Sequence, residues 1–196
     1  MWWVMMIAMM VPSAAPAVLL YARVRRHNIA RGGDVSGGVH TAAFVAGYLL
    51  AWLAFSLAAT LLQWMLEQLG LLHTMLMWST SHQLSGVLLL AAGLYQWSPV
   101  KAACLRLCRS PASFFAGRWR TDGPGALRMG LEHGLYCVGC CWVLMLVLFV
   151  GGTMNLAWIA GLTVLVLLEK LLPRGELVAR LSGILMIFSG CFLLLG

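Results

Sequence analysis

Residues 127–150 read LRMGLEHGLYCVGCCWVLMLVLFV, and this stretch decides the fold class. A helix that crosses a bilayer needs about 20 mostly apolar residues, and the stretch is long enough to provide them. It nevertheless carries one histidine, one carboxylate and three cysteines. The stretch therefore predicts a membrane-spanning helix with reactive side chains built into it.

The same apolar character extends over the whole chain. Of its 196 residues, 62% are hydrophobic and only 10% are charged, and the mean hydropathy is +0.90. A soluble domain has about 25% charged residues. The composition predicts a single integral membrane domain over residues 1–196 in the lipid bilayer, with no separate polar domain and no cleavable signal peptide.

Six stretches reach or approach the length of a membrane span. Gly and Pro mark the breaks between them, and they cover residues 2–21, 41–66, 83–98, 127–150, 155–172 and 178–195. Only helices and closed barrels cross a bilayer, and these stretches lack the alternation of barrel strands. The sequence thus predicts an all-α fold, a polytopic bundle of about six spanning helices.

The basic residues predict the orientation of the bundle. All 13 Lys and Arg lie in the connections after the first, third and fifth stretches or within a few residues of the ends that border them, and the connections after the second and fourth have none. By the positive-inside rule, the three basic connections face the cytoplasm and both termini face outward. The net charge of +7 follows from this topology and from contact with anionic lipid, so it indicates no nucleic-acid partner.

The fourth stretch carries four candidate metal ligands on one helical face. At 100° per residue, His133, Cys137, Cys140 and Cys141 fall within an arc of about 100°. An ionisable group inside a span is a functional hypothesis by default. The opposite face is expected to pack or to meet lipid, and it carries Leu135, Val138, Trp142, Val143 and Leu146.

The helical rise limits how these groups share an ion. His133 and Cys141 lie about 12 Å apart along the axis, so one ion cannot take all four groups from one straight helix. One ion could take an adjacent pair and complete its shell from other helices, or two ions could sit one above the other. Alternatively, the cysteines are small residues that pack between helices.

The ligand types favour a soft metal. Thiolate, thioether and imidazole suit Cu(I) and Zn(II) rather than Mg²⁺ or Ca²⁺. The chain has 12 methionines, and because thioether is a poor zinc ligand, they favour Cu(I) over zinc.

The first stretch, MWWVMMIAMMVPSAAP, is rich in methionine. Pro12 and Pro16 predict a bend or break that leaves backbone carbonyls free, as in the broken helices of transporters. Met5, Met9 and Met10 are then candidates to face the fourth stretch and complete its metal site. Alternatively, these methionines are flexible apolar filler.

Further candidate ligands lie in the connections. Cys104 and Cys108 form C-x-x-x-C in the second basic connection, where Lys101, Arg106 and Arg109 are expected to favour the thiolate. An outer connection with soft groups could capture copper, or it could simply be an interfacial loop; these groups are His73, Met75, Met77 and His82.

Other polar groups have simpler interpretations. Glu132 is expected to pair with Arg128, four residues before it. Tyr95-Gln96-Trp97 is interpreted as an aromatic belt, and Glu169-Lys170 as an interfacial pair at the cytoplasmic face. Cys191 is expected to be a packing residue.

Three motifs resemble those of a known family. They are AMMVPSAAP near the start, GLYQWSPVKAACLRLCRSP in the middle, and GLEHGLYCVGCCW followed by LLEKLLP. Over roughly residues 1 to 195 the chain resembles a bacterial family of predicted metal-binding integral membrane proteins, some of which are labelled copper chaperones. The resemblance implies metal binding, a bacterial inner membrane, and a signature set of His133, Cys137, Cys140, Cys141, Cys104 and Cys108.

The leading hypothesis is a membrane protein that binds Cu(I) for copper handling, delivery or translocation, with no catalysis of its own. Zinc is the second metal. One alternative is a membrane thiol oxidoreductase that uses Cys137, Cys140 and Cys141. Another is an assembly factor for a membrane metalloenzyme, and the expected partners are such an enzyme or a metallochaperone.

Overall fold

A computed structural model describes residues 1–30, 37–70, 82–120 and 122–195. Over these residues it contains helices and no strands, which confirms the predicted all-α class. The helices are α1 (Trp2–Ala30), α2 (Gly37–Gln68), α3 (His82–Gln96), α4 (Pro99–Arg109), α5 (Pro111–Arg118), α6 (Gly123–Leu146), α7 (Leu148–Gly151), α8 (Leu156–Leu171) and α9 (Gly175–Leu195).

Four helical segments of the described chain are long and apolar enough to cross a membrane, namely Trp2–Asn28, Gly38–Gln68, Gly123–Gly151 and Gly175–Leu195. The third and fifth predicted stretches form α3 and α8, which have 15 and 16 residues. At the helical rise they measure about 22–24 Å, less than the hydrocarbon core of about 30 Å. The arrangement of six spans therefore stays a prediction.

The first helix is longer and more regular than expected. α1 continues to Ala30, past the predicted end at residue 21. The arginines after residue 21 end the apolar stretch, but arginine is a good helix former and the helix itself continues through them. Pro12 and Pro16 lie inside this one helix. The expected break in the methionine-rich segment is therefore absent.

Other predicted breaks coincide with helix starts. Ser98 caps α4, with its Oγ 3.2 Å from the amide nitrogen of Val100, and Pro99 occupies the first turn. Asp122 caps α6 in the same way, with its Oδ2 3.1 Å from the amide of Gly125. Both caps satisfy amides that the first helical turn leaves without a partner.

α6 lies at the centre of the bundle, where it packs against α2, α3, α4 and α8. α1 reaches it through Met10, whose sulfur lies near Cys141. The closest neighbour of α6 is α2. A Cβ placed on Gly130 would lie 1.9 Å from the carbonyl oxygen of Phe44, so only glycine permits this approach. Small residues bring membrane helices together in this manner, and here they bring α2 against the face of α6 that carries His133 and the cysteines.

Candidate metal centre

A stripe of soft side chains runs along the buried face of α6. It recurs every four residues, and each member is at most 3% exposed: Met129, His133, Cys137, Cys141 and Met145. Each step along the stripe is about 6 Å. Cys140 is buried beside it. The predicted common face of His133 and the three cysteines is therefore confirmed.

The opposite face of α6 is partly exposed and partly packed, as expected. Leu135 and Trp142 are exposed, and Val143 is buried. Helices pack on more than one side of α6, so its buried arc extends beyond the cysteine face.

Cys137 is held by polar groups from two other helices. Its Sγ lies 2.9 Å from Nζ of Lys170 and 3.2 Å from the hydroxyl of Tyr48. Lys170 also donates to Oγ of Ser13, at 3.1 Å. The expectation that Lys170 reaches the membrane interface is therefore wrong. Its ammonium group points inward because the thiol and hydroxyl partners lie there.

Two further helices add sulfur to the cysteine face. Sγ of Cys141 lies 4.0 Å from Sδ of Met10 on α1, and Sγ of Cys140 lies 4.0 Å from Sγ of Cys108 on α4. The thiols of Cys140 and Cys141 both also donate to the carbonyl of Cys137, at 3.1 and 2.8 Å. We call these five residues, Met10, Cys108, Cys137, Cys140 and Cys141, the sulfur cluster.

The thiols of α4 are turned toward α6. A Cβ on Gly139 would lie 3.1 Å from Sγ of Cys104, so the glycine leaves room for this thiol. Burial raises the pKa of the Cys104 thiol, and the neighbouring Cys140 adds to the effect. Hydrogen bonds with Cys137 and Cys140 raise the pKa of Cys108 well above its ordinary value, with burial adding to it. The direction is therefore opposite to the expectation that the basic side chains favour the thiolates of α4.

The nearby basic side chains are engaged elsewhere. Nζ of Lys101 lies 2.7 Å from a carboxylate oxygen of Glu169, and both residues are buried. Lys101 also donates to Gln96, whose amide nitrogen is 2.8 Å from the other oxygen of Glu169. Arg109 donates to the carbonyls of Leu172 and Pro173, at 2.6 Å each.

This network corrects two interpretations. Gln96 is not a surface part of an aromatic belt, and Glu169 is not an interfacial residue, since both are buried. For Glu169 the signal that could have found it is the one applied to His133, an ionisable residue within an apolar stretch. Gln96 is not ionisable and carries no such signal.

His133 lies in an aromatic enclosure. Its ring centroid is 5.3 Å from that of Phe114 and 6.1 Å from those of Phe44 and Tyr48. Among the described residues its Nδ1 is buried without a hydrogen-bond partner. Leaving such a polar group unpaired costs about 1–3 kcal/mol of stability.

The remaining predicted groups have varied positions. Met9 is buried and Met5 half-buried in the same apolar core, but only Met10 of the three has a described contact with a thiol. His82 is exposed at the start of α3, whereas His73, Met75 and Met77 lie outside the described residues.

Cys191 is exposed, contrary to expectation. The predicted pairing of Glu132 with Arg128 is confirmed, at 3.1 Å.

The cluster offers pairs of sulfur atoms. Within the described part of the chain, no three His, Cys, Asp or Glu side chains are grouped so as to hold a metal ion. With metal–thiolate bonds of about 2.3 Å, two sulfurs that share one ion lie at most about 4.6 Å apart. The Cys108–Cys140 and Met10–Cys141 pairs, each at 4.0 Å, meet this limit. All six cysteines are free.

A family model described as "PpoB2: Copper chaperone" matches residues 1–193. The chain belongs to this copper chaperone family. No curated protein and no solved structure matches it. Membership of the copper chaperone family confirms the resemblance seen in the three motifs and indicates copper handling.

Proposed function

We propose that this chain is a membrane chaperone that holds Cu(I) in the sulfur cluster and delivers it to an acceptor protein. The observation that carries the proposal is the meeting of α6 thiols with sulfur atoms from α1 and α4 in a buried core. Residues so distant in the chain meet there only because the bundle assembles around α6.

The ligand chemistry favours Cu(I) over other ions. Thiols and a thioether are soft donors, which select Cu(I) and disfavour hard cations. A structural zinc site is tetrahedral with four ligands, whereas a two-coordinate Cu(I) site needs only one of the sulfur pairs. Zinc remains the alternative ion, and it is measured beside copper below.

Lys170 supplies the positive charge that balances a copper ion bound by two thiolates. Cu(I) between two thiolates carries a net negative charge, which is costly to bury without a partner. The ammonium of Lys170, 2.9 Å from Sγ of Cys137, is placed to balance it.

Delivery is assigned to the α4 side of the cluster. Cys104 and Cys108 are half-buried, while the α6 thiols are fully buried. An acceptor thiol would therefore reach Cys108 first. By the positive-inside expectation this face is cytoplasmic, and the acceptor is a metallochaperone or a membrane metalloenzyme that the chain helps to assemble.

The test is metal content by mass spectrometry of reduced, detergent-purified protein loaded with Cu(I) or Zn(II). Copper should be retained by the native protein and lost in a Cys137→Ser, Cys140→Ser, Cys141→Ser triple variant. Cys191→Ser is the matched control, because this thiol is exposed and outside the cluster. Equal copper in the triple variant and in the control would contradict the proposal.

His133 is tested separately as a ligand. His133→Phe fits the aromatic enclosure and removes the unpaired Nδ1, so we expect a higher unfolding temperature together with reduced copper content. Unchanged copper would remove His133 from the ligand set and leave the sulfur cluster standing.

A thiol oxidoreductase is the second candidate. The 4.0 Å approach of Cys108 to Cys140 favours it, since a small movement would allow a disulfide between α4 and α6. Exposure to a quinone, followed by mass mapping of disulfides, tests this. A Cys108–Cys140 disulfide that forms and is reduced again would support the oxidoreductase, and reduced thiols that retain copper would support the chaperone.

A further inference from the structure

Two buried methionines lie beyond the sulfur cluster and have no role in it. Met6 on α1 and Met145 on α6 are fully buried in the same apolar core. They lie toward the end of the bundle that carries Trp2 and Phe149, away from the basic helix α4.

The pairing of α1 with α6 puts these two methionines at one level. The rings of Trp2 and Phe149 are 5.2 Å apart, and the sulfurs of Met10 and Cys141 are 4.0 Å apart. α1 therefore runs antiparallel to the segment formed by α6 and α7. Met6 lies midway between Trp2 and Met10, and Met145 lies midway between Cys141 and Phe149, so helical periodicity puts the two residues at the same level, one turn beyond the cluster.

We propose that Met6 and Met145 form a second soft-metal site, which binds Cu(I) through two thioethers on its way to or from the sulfur cluster. This inference rests on the proposed function of the cluster itself. The spacing to Met10 and Cys141 is about 6 Å along each helix, short enough for an ion to pass from one pair to the next.

The chemistry suits a transit site. Thioether is a good soft ligand but carries no charge and no proton. Cu(I) binds there without releasing a proton and without changing oxidation state. The positive charge is then uncompensated in a buried setting, so the site binds more weakly than the thiols and fills after them.

The end of the bundle near Met6 presents a polar approach. Nε1 of Trp2 donates to Oε1 of Gln63, at 2.5 Å, and Nε2 of Gln63 donates to a carboxylate oxygen of Glu67, at 2.7 Å. Glu67 is half-buried at the end of α2. Its negative charge would attract a cation to the end of the bundle where the methionine pair lies.

The test is copper-edge X-ray absorption on selenomethionine-labelled protein loaded with increasing Cu(I). We expect sulfur scattering to dominate the first equivalent, with at most the one selenium of Met10 beside it, and selenium scattering from two further atoms to appear with the second. A Met6→Leu, Met145→Leu variant should lose the second equivalent and its selenium signal but keep the first. Met186→Leu is the matched control, a buried methionine of the same core on α9.

The outcomes separate the two proposals. Unchanged selenium scattering in the Met6→Leu, Met145→Leu variant would overturn the methionine site. If the double methionine variant loses its selenium scattering and the triple cysteine variant still binds the first equivalent of copper, the methionine site stands. The sulfur cluster alone is then overturned. Methionine-to-leucine changes conserve volume and usually cost under about 1.5 kcal/mol. If the double variant nevertheless fails to fold, either single variant should remove the second equivalent.

Discussion

At the scale of single residues, Lys170 is the most informative side chain of the site. A lysine is almost never fully buried unless it is paired, and this one is 8% exposed with its ammonium against a thiol and a hydroxyl. Its side chain extends from α8 to Cys137 on α6. A positive charge at that position stabilises the cluster most when the cluster holds a thiolate or a thiolate-bound ion.

We predict that Lys170→Met weakens Cu(I) binding by about tenfold or more, a loss of about 1.4 kcal/mol or more. The reason is that a bis-thiolate copper complex would lose its counter-charge. Competition with a chromophoric Cu(I) chelator measures the affinity. Lys170→Arg keeps the charge and should retain most of the binding, and equal affinity in the Met variant would show that Lys170 has no such role.

At the scale of elements, α4 decides whether Cys108 belongs to the site. This short helix has one buried face, with Lys101 and Leu105. It is tied to α8 by the buried Lys101–Glu169 pair and to the segment after α8 by Arg109. The Lys101–Glu169 pair thus positions Cys108 beside Cys140. In the described contacts neither Lys101 nor Glu169 touches the thiols.

We predict that Glu169→Gln releases α4 from the bundle. Removing one partner of a buried ion pair leaves the other charge uncompensated and costs about 3–5 kcal/mol. Labelling of Cys108 by a membrane-impermeant maleimide should then become severalfold faster. Glu132→Gln is the matched control, because its partners Arg128 and Arg118 are both exposed and such surface pairs contribute about 0–1 kcal/mol. Equal labelling rates in the two variants would disprove the tether.

At the scale of the whole molecule, the site is a product of assembly. The groups that meet at the cysteines come from α1, α2, α4, α6 and α8. An ion that binds this arrangement binds the folded bundle and not the separated helices. Metal binding is therefore linked to folding.

We predict that Cu(I) raises the unfolding temperature of the native protein in detergent. At a free concentration of 100 times the dissociation constant, binding adds about 2.7 kcal/mol to the stability of the folded state. The triple cysteine variant should show no such increase, and Cys191→Ser should show the full one. Thermal unfolding with and without Cu(I) measures it, and an equal rise in all three proteins would indicate nonspecific binding.

The sequence by itself determined the all-α class, the positions of the long apolar helices, the shared face of His133 and the α6 cysteines, and the pairing of Arg128 with Glu132. All of these follow from local periodicity or from i, i+4 spacing, which the chain carries within a few residues.

Only the tertiary structure decided that Met10 contacts the thiols, that Cys108 joins α6, and that Lys170 and Glu169 point inward. These partners are separated by between 32 and 131 positions in the chain. Their meeting depends on how helices pack and in which register. Packing is set by side-chain shape across neighbouring helices, and no pattern within one helix contains that information.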